Sequence, residues 1–276
     1  MMERTVKQMI EDSPAVRMGT LVYSDNFILT TGGVLNIYHD LTEADCLSIT
    51  STSTLRQIQF SRAFNVDDGT FELINSWLLP LGHKPTFHVI LNGCGAVRDL
   101  NCLRILTNLR SLTVDMFKND QLKELNRYAK LEVLGLGGHG ISIKPITQQS
   151  GLEELFLFGK LKDVESISSM KRLKKVTFSQ ITLKNLDFLI ELDDLRELHF
   201  MLGSASNYDQ LPNIGKIESL SFGHVRQLTT DHLMPINRMK YLKKLGFHTQ
   251  PHLTDLDWLK DKSIQTEVVK CKNYKN

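Results

Sequence analysis

No run of this chain approaches the eighteen or so apolar residues that a membrane-crossing helix needs. The opening Met1-Met2-Glu3-Arg4-Thr5-Val6-Lys7 lacks the apolar core of a secretory signal, so a cytoplasmic location is expected unless a leader once preceded it. Charge excess is also missing. The 33 Lys and Arg stand against 31 Asp and Glu, and a net charge of +2 speaks against a general nucleic-acid or membrane-surface binder. Cys46, Cys94, Cys102 and Cys271 show neither Cys-x-x-Cys spacing nor paired order, which fits a reducing compartment. The basic residues cluster only at the end, at Lys260, Lys262, Lys270, Lys272 and Lys275, as a solvated face that protects a terminal edge.

What the chain does contain is a repeat. Hexamers of the form Leu-x-x-Leu-x-Leu begin at Leu109, Leu131, Leu152, Leu173, Leu195, Ile217 and Leu242, in steps of 22, 21, 21, 22, 22 and 25. A fixed period of this length is the mark of a stacked solenoid. Within each hexamer the apolar residues alternate near the end, as at Leu134 and Leu136, the period of a strand with one buried face.

A second apolar ladder precedes each hexamer at three, six and nine residues, for example Leu106, Leu103 and Leu100. Only Gln149 and Tyr208 depart from it. Steps of three would drift by about 60° each around an α-helix, whereas a 3₁₀ turn keeps them aligned. Each repeat therefore predicts one short strand, with mainly 3₁₀ or irregular turns on the other side. Strands stack side by side as a parallel sheet, and the wider back layer bends the stack into an arc.

The pattern Leu-x-x-Leu-x-x-Leu-x-x-Leu-x-Leu resembles the leucine-rich repeat family in its short-repeat, bacterial, internalin-like form. The resemblance is clear over 100–247. It implies an α/β solenoid with the parallel β-sheet on the concave face and 3₁₀ or irregular turns on the convex face. One departure stands out. Where the family has an asparagine three residues after the last leucine, this chain reads Phe117, His139, Lys160, Ile181, Gly203, Val225 and Gln250. Backbone groups between repeats must then be satisfied by other means.

The expected organisation is a β-rich N-terminal cap at 1–50, a leucine-rich repeat domain at 51–259, and a closing strand with the basic tail at 260–276. In the cap, 21–23, 27–29 and 34–37 read as a β-meander. Leu55-x-x-Ile58-x-Phe60 is a further hexamer, and Thr86-x-x-Val89-x-Leu91 a degenerate one. Between them Asp67-Asp68-Gly69-Thr70 leads, with an Asp or Thr cap, into a true helix whose apolar residues are Phe71, Ile74, Trp77, Leu78 and Leu81, closed by Gly82.

Outward-facing strand positions are where a surface function would sit. Phe156 and Phe158 share a strand, with His199 and Met201 two repeats on and Gly135 and Gly137 in the preceding repeat. Aromatic rings beside glycines are expected to leave a hollow for a partner's side chain. Glu154, Lys175 and Glu197 place alternating charges on successive strands and favour cross-strand pairing. His199, His224 and His248 have no carboxylate or cysteine at ligand spacing, so no metal is expected. The run Gly135-Leu136-Gly137-Gly138-His139-Gly140 lacks the Lys-Ser/Thr of a phosphate loop. Cys94 has no base placed beside it and reads as a small buried residue.

The function expected is a non-enzymatic, cofactor-free module that holds a partner protein, a toxin or effector among the candidates. Bacterial relatives without a secretion signal look like intracellular inhibitors, immunity proteins or adaptors. Two rival readings are an enzyme or enzyme accessory using the first fifty residues, and a structural or surface-display repeat.

Overall fold

The computed structural model describes residues 5–52, 54–60, 66–81, 86–90, 99–116, 122–128, 131–272 and 274. Gly82, Leu91, Cys94, Phe117 and Lys275 lie outside them. The chain forms two compact units, Met1–Leu134 and Gly135–Asn276.

The first unit opens with two short helices, α1 (Val6–Asp12) and α2 (Pro14–Gly19). The strands β1 (Thr20–Tyr23), β2 (Phe27–Thr30) and β3 (Val34–Ile37) then pair antiparallel in sequence as a meander. After helix α3 (Glu43–Thr50) the pairing changes hand: β3 lies parallel to β4 (Gln57–Phe60), β4 to β5 (Thr86–Ile90), and β5 to β6 (Ser111–Met116). The helices of this segment are absent from the sequence expectation, although their caps are written in it. Thr5 and Gln8 exchange hydrogen bonds as a capping box, Ser13 caps α2 ahead of Pro14, and Thr42 and Asp45 form a second box. Helices of six to eight residues are too short for an apolar period to show. Val6 and Ile10 of α1 pack on Ile28, with Met9 and Tyr38 alongside.

The expected helix after Asp67 is present but changes pitch. Asp67 accepts the Thr70 N–H at 2.7 Å to start α4 (Asp68–Leu73). The chain then widens into a π turn, Ile74–Leu78, in which Leu79 N–H donates to Ile74 O. Ile74 and Leu78 are buried, while Trp77, grouped above with the apolar face, is 37% exposed. The unit ends with α5 (Leu122–Tyr128), an α-helix where the three-residue ladder predicts a 3₁₀ turn. Leu122, Lys123, Glu124, Leu125 and Arg127 are strong helix formers, and that propensity wins here.

The second unit is the regular part. Its main sheet runs β7 (Val133–Ser142), β8 (Glu154–Lys162), β9 (Lys175–Ser179), β11 (Glu197–Met201), β13 (Ser219–Gly223), β14 (Lys244–His248) and β15 (Gln265–Val269). The two-residue strands β10 (Thr182–Leu183) and β12 (Ser204–Ala205) form a separate parallel pair. Behind the strands lie 3₁₀ turns at Lys144–Gln148, Val164–Ser169, Asp187–Leu189, Leu211–Asn213 and Met234–Arg238, the last preceded by α6 (Thr230–Leu233). The three-residue steps bury Ile146, Ile167, Leu189, Leu211 and Ile236. Both exceptions are accommodated: Gln149 is buried, and the buried Tyr208 accepts the Ala205 N–H on its hydroxyl.

From β8 to β15 the pairing is parallel with no slip, so equivalent hexamer positions sit side by side. The last hexamer position builds a stack of phenylalanines. Phe178, Phe200, Phe222 and Phe247 follow one another at ring separations of 5.9, 5.6 and 5.8 Å, and Trp258 closes the row edge-on. Tyr208 meets Phe200 and Phe222 edge-to-face. Each such pair adds about 0.5–1.5 kcal/mol beyond area burial.

The missing asparagine ladder has a physical substitute. One residue after each strand, Gln180, Leu202, His224 and Thr249 adopt left-handed backbone with φ of 50–57°. Each donates its N–H, at 2.8 Å, to the last carbonyl of the next strand: Met201, Gly223, His248 and Val269 respectively. At the following position Ile181 and Val225 are buried and apolar, while buried Gln250 donates its side-chain amide to Phe222 O at 2.9 Å. Gly203 occupies that column because a Cβ there would lie 2.1 Å from Ile181 O. In β8 the left-handed position is Gly159, with φ 92° and Gly138 O 2.4 Å from where a Cβ would stand.

Two outcomes are expected. Leu155 and Leu198 are buried at 1% and 0% exposure, so either changed to Ala costs about 2–5 kcal/mol in denaturant unfolding. A loss under about half a kcal/mol at both sites contradicts the register. Gln180→Gly relieves left-handed strain of about 1–2 kcal/mol against the extra chain entropy of glycine, about 0.5–1 kcal/mol. It raises the urea midpoint, and a lower midpoint shows that the Gln180 side chain outweighs the strain.

Candidate partner-binding face

The register of the second unit sets three rows of side chains across the sheet face. The first reads Glu154, Lys175, Glu197, Ser219, Lys244 and Gln265. The second reads Phe156, Thr177, His199, Ser221, Gly246 and Glu267. The third reads Phe158, Ser179, Met201, Gly223, His248 and Val269. All seven residues singled out in the sequence lie on these rows.

Phe156 is 36% exposed and its ring sits 5.4 Å from that of Phe158, tilted by 37°. Met201 is 43% exposed, and Leu202, forced outward by its left-handed backbone, is 49% exposed. The rings and the Met201–His199 pair are not in one cluster. β9 runs between them, two strand spacings or roughly 10 Å across. There Thr177 and Ser179 are buried between the two walls. The strand between the rings and Met201 is therefore covered by its neighbours. Gly135 and Gly137, expected to leave open space, are themselves buried.

The other glycines of the face are filled as well. A Cβ on Gly223 would touch Met201 Cγ at 3.6 Å, and one on Gly246 would touch the His248 ring at 3.3 Å. Met201 and His248 fold over their glycine neighbours. Thr177, Ser179 and Ser221 do not stand out in a linear sequence, since small hydroxyl residues carry no signal until the register places them between larger ones. Leu202 was likewise hidden, because its exposure follows from backbone conformation.

The electrostatics are local. Lys175 Nζ lies 3.8 Å from Glu154 and 3.6 Å from Glu197, the cross-strand pairing that the alternation suggests. Exposed pairs of this kind contribute about 0–1 kcal/mol. His199 is held harder: its Nδ1 is 2.7 Å from Ser221 Oγ and its Nε2 3.4 Å from Glu197. A neutral ring whose Nε2–H donates to Glu197 accepts the Ser221 hydroxyl proton on Nδ1. This order of acid, imidazole and hydroxyl matches a nucleophile relay, but β13 is paired on both sides, so its backbone N–H groups are spent in the sheet. The chain of bonds braces the floor of the face. Burial holds the His199 pKa below its usual value, opposed by the hydrogen bond to Glu197 and assisted by Lys175 and His248.

His224 serves the backbone turn, while His248 lies over Gly246. Among the described residues no three His, Cys, Asp or Glu side chains gather at metal-binding distance. Cys46 and Cys102 are buried free thiols whose pKa values burial pushes up to about 12.

No protein-family model matches the sequence, and no curated protein matches it. Solved structures do. An internalin (inlF) of Listeria monocytogenes matches with a TM-score of 0.55 at 17% identity, covering 87% of this chain and 67% of its own. An internalin C2 (inlC2) of the same organism gives 0.43 at 13% identity, covering 75% of this chain and 90% of its own. The first likeness, with the repeat register, shows the fold: an α/β solenoid of the leucine-rich repeat class.

The His199 environment sets an acid response. The unfolded chain takes up a proton near 6.5, and the folded chain resists it until a lower pH. Stability is therefore lost as pH falls through 6.5 toward the folded value. Urea midpoints at pH 7.5 and 5.5 should separate more for the wild type than for His199→Gln. Equal separations contradict the burial of the imidazole.

Proposed function

We propose that the chain is a non-enzymatic module that holds a partner protein on the sheet face of its second unit. The observation that carries this reading is the pair of partly exposed rings, Phe156 and Phe158, facing Met201 across a polar floor. Partly exposed apolar side chains on both walls of a hydrogen-bonded scaffold supply burial energy at little ordering cost. Glu154, Lys175, Glu197 and His199 then supply the polar margin that selects a partner.

The roles that fit are an inhibitor, a toxin-immunity protein or an adaptor of the bacterial cytoplasm. Each needs a preformed surface and no chemistry of its own. Free buried thiols fit a reducing compartment. Among the described residues no helix is long and apolar enough to cross a membrane.

The test pairs folding with binding. Phe156→Ser with Phe158→Ser should leave the circular dichroism melt nearly unchanged, since neither ring is among the fully buried side chains. Proteins retained by the immobilised wild type should be lost from the double variant. Calorimetry with the purified partner should show a weakening of at least about 2 kcal/mol. A variant that folds and binds as the wild type does moves the site elsewhere.

A further inference from the structure

The first unit carries a second surface feature, unrelated to the sheet face. On its helical side an open basin of about 800 Å³, counting the solvent open to it, lies between α3 and α4 with its π turn. Leu41, Leu73 and Trp77 supply its apolar wall, and the carboxylates of Glu43, Asp67 and Glu72 share the lining. None of the nine lining residues is basic. Arg104, which is near this segment in the fold, is already spent on Asp68 at 2.6 Å.

Two features set this basin apart from a solvated acidic surface. The first is the indole. Trp77 stands in the lining beside Leu73, four residues earlier in the chain, and is 37% exposed. The second is rigidity. Thr70, buried at 1%, accepts the Leu41 N–H at 3.0 Å and bonds Asp40 at 3.1 Å, while Asp67 caps α4. The α3 and α4 walls are thereby tied together at the floor. Glu43 and Glu72 form no ion pair among the described residues.

We infer that this basin binds an arginine side chain on an exposed, basic segment of a partner protein. A guanidinium stacks on an indole face and at the same time offers fork-shaped donors to carboxylates. An apolar wall beside the ring takes the methylene stem. An anionic ligand meets three carboxylates and no cation, and a purely apolar one leaves those carboxylates desolvated.

The probe is the acetylated, amidated tetra-arginine peptide, titrated into the full chain while tryptophan fluorescence is followed, with a glycine–serine peptide of equal length as control. The arginine peptide alone should give a saturable change. Trp77→Phe should abolish the change in fluorescence, and Glu43→Gln with Glu72→Gln should weaken binding about tenfold, the loss expected of two exposed ion pairs. Calorimetry on Trp77→Phe reads binding without the indole signal, and circular dichroism confirms that the variants fold. No saturable change at millimolar peptide overturns the inference. So does undiminished affinity in Trp77→Phe by calorimetry, or in the double glutamine variant. Because the basin and the sheet face share no residue, failure here leaves the Phe156–Phe158 reading untouched, and the reverse also holds.

Discussion

A strand-and-turn repeat has nowhere to hide its backbone, and the satisfaction of peptide groups between neighbours is the constraint on which the second unit depends. Before β8, β9, β11 and β13 one carbonyl takes two N–H groups from the next repeat, as Glu153 O does from Lys174 and Lys175 and as Arg196 O does from Glu218 and Ser219. At the end, a left-handed residue returns an N–H to the next strand. Only when both ends are tied in this way do the strands stay in register, and only that register aligns Phe178, Phe200, Phe222 and Phe247. The aromatic stack is thus a consequence of the polar accounting as well as a contributor to stability. A missing side-chain ladder is tolerable because the backbone itself supplies donors, at the cost of strain in four non-glycine residues.

The repeat was legible because periodicity survives in any one copy: alternating burial at Leu155 and Leu157 and three-residue steps at Val164 and Ile167 are short-range patterns. The first unit was partly legible. The meander at 20–37 announces itself through turn residues, while α1 to α3 are too short to have an apolar stripe and depend on packing, as Val6 and Ile10 do on Ile28. α5 and the π turn of Ile74–Leu78 were not legible, since helix pitch is decided by how the segment packs against its neighbours.

The face was legible in membership but not in relief. Columns of outward positions follow from counting, so Phe156, Phe158, His199 and Met201 fall where the hexamers put them. Which positions stand up and which are covered depends on rotamers. Met201 lies over Gly223, His248 over Gly246, and Thr177 is enclosed by larger neighbours on both sides. A glycine in such a row marks space already claimed by the next side chain.

The step from Ile217 to Leu242 is 25 residues where its neighbours take 22, yet β13 and β14 pair without a slip. The surplus is absorbed behind the sheet, where α6 precedes the 3₁₀ turn Met234–Arg238. The two sides of the repeat therefore tolerate change differently. The turns can lengthen, shorten or acquire a helix while the strand side keeps its spacing, so a recognition surface can be held constant as the opposite side diverges. A peptide tag, a reporter or a second binding loop inserted after Leu228 would add to the molecule without displacing one residue of the Phe156–Met201 face.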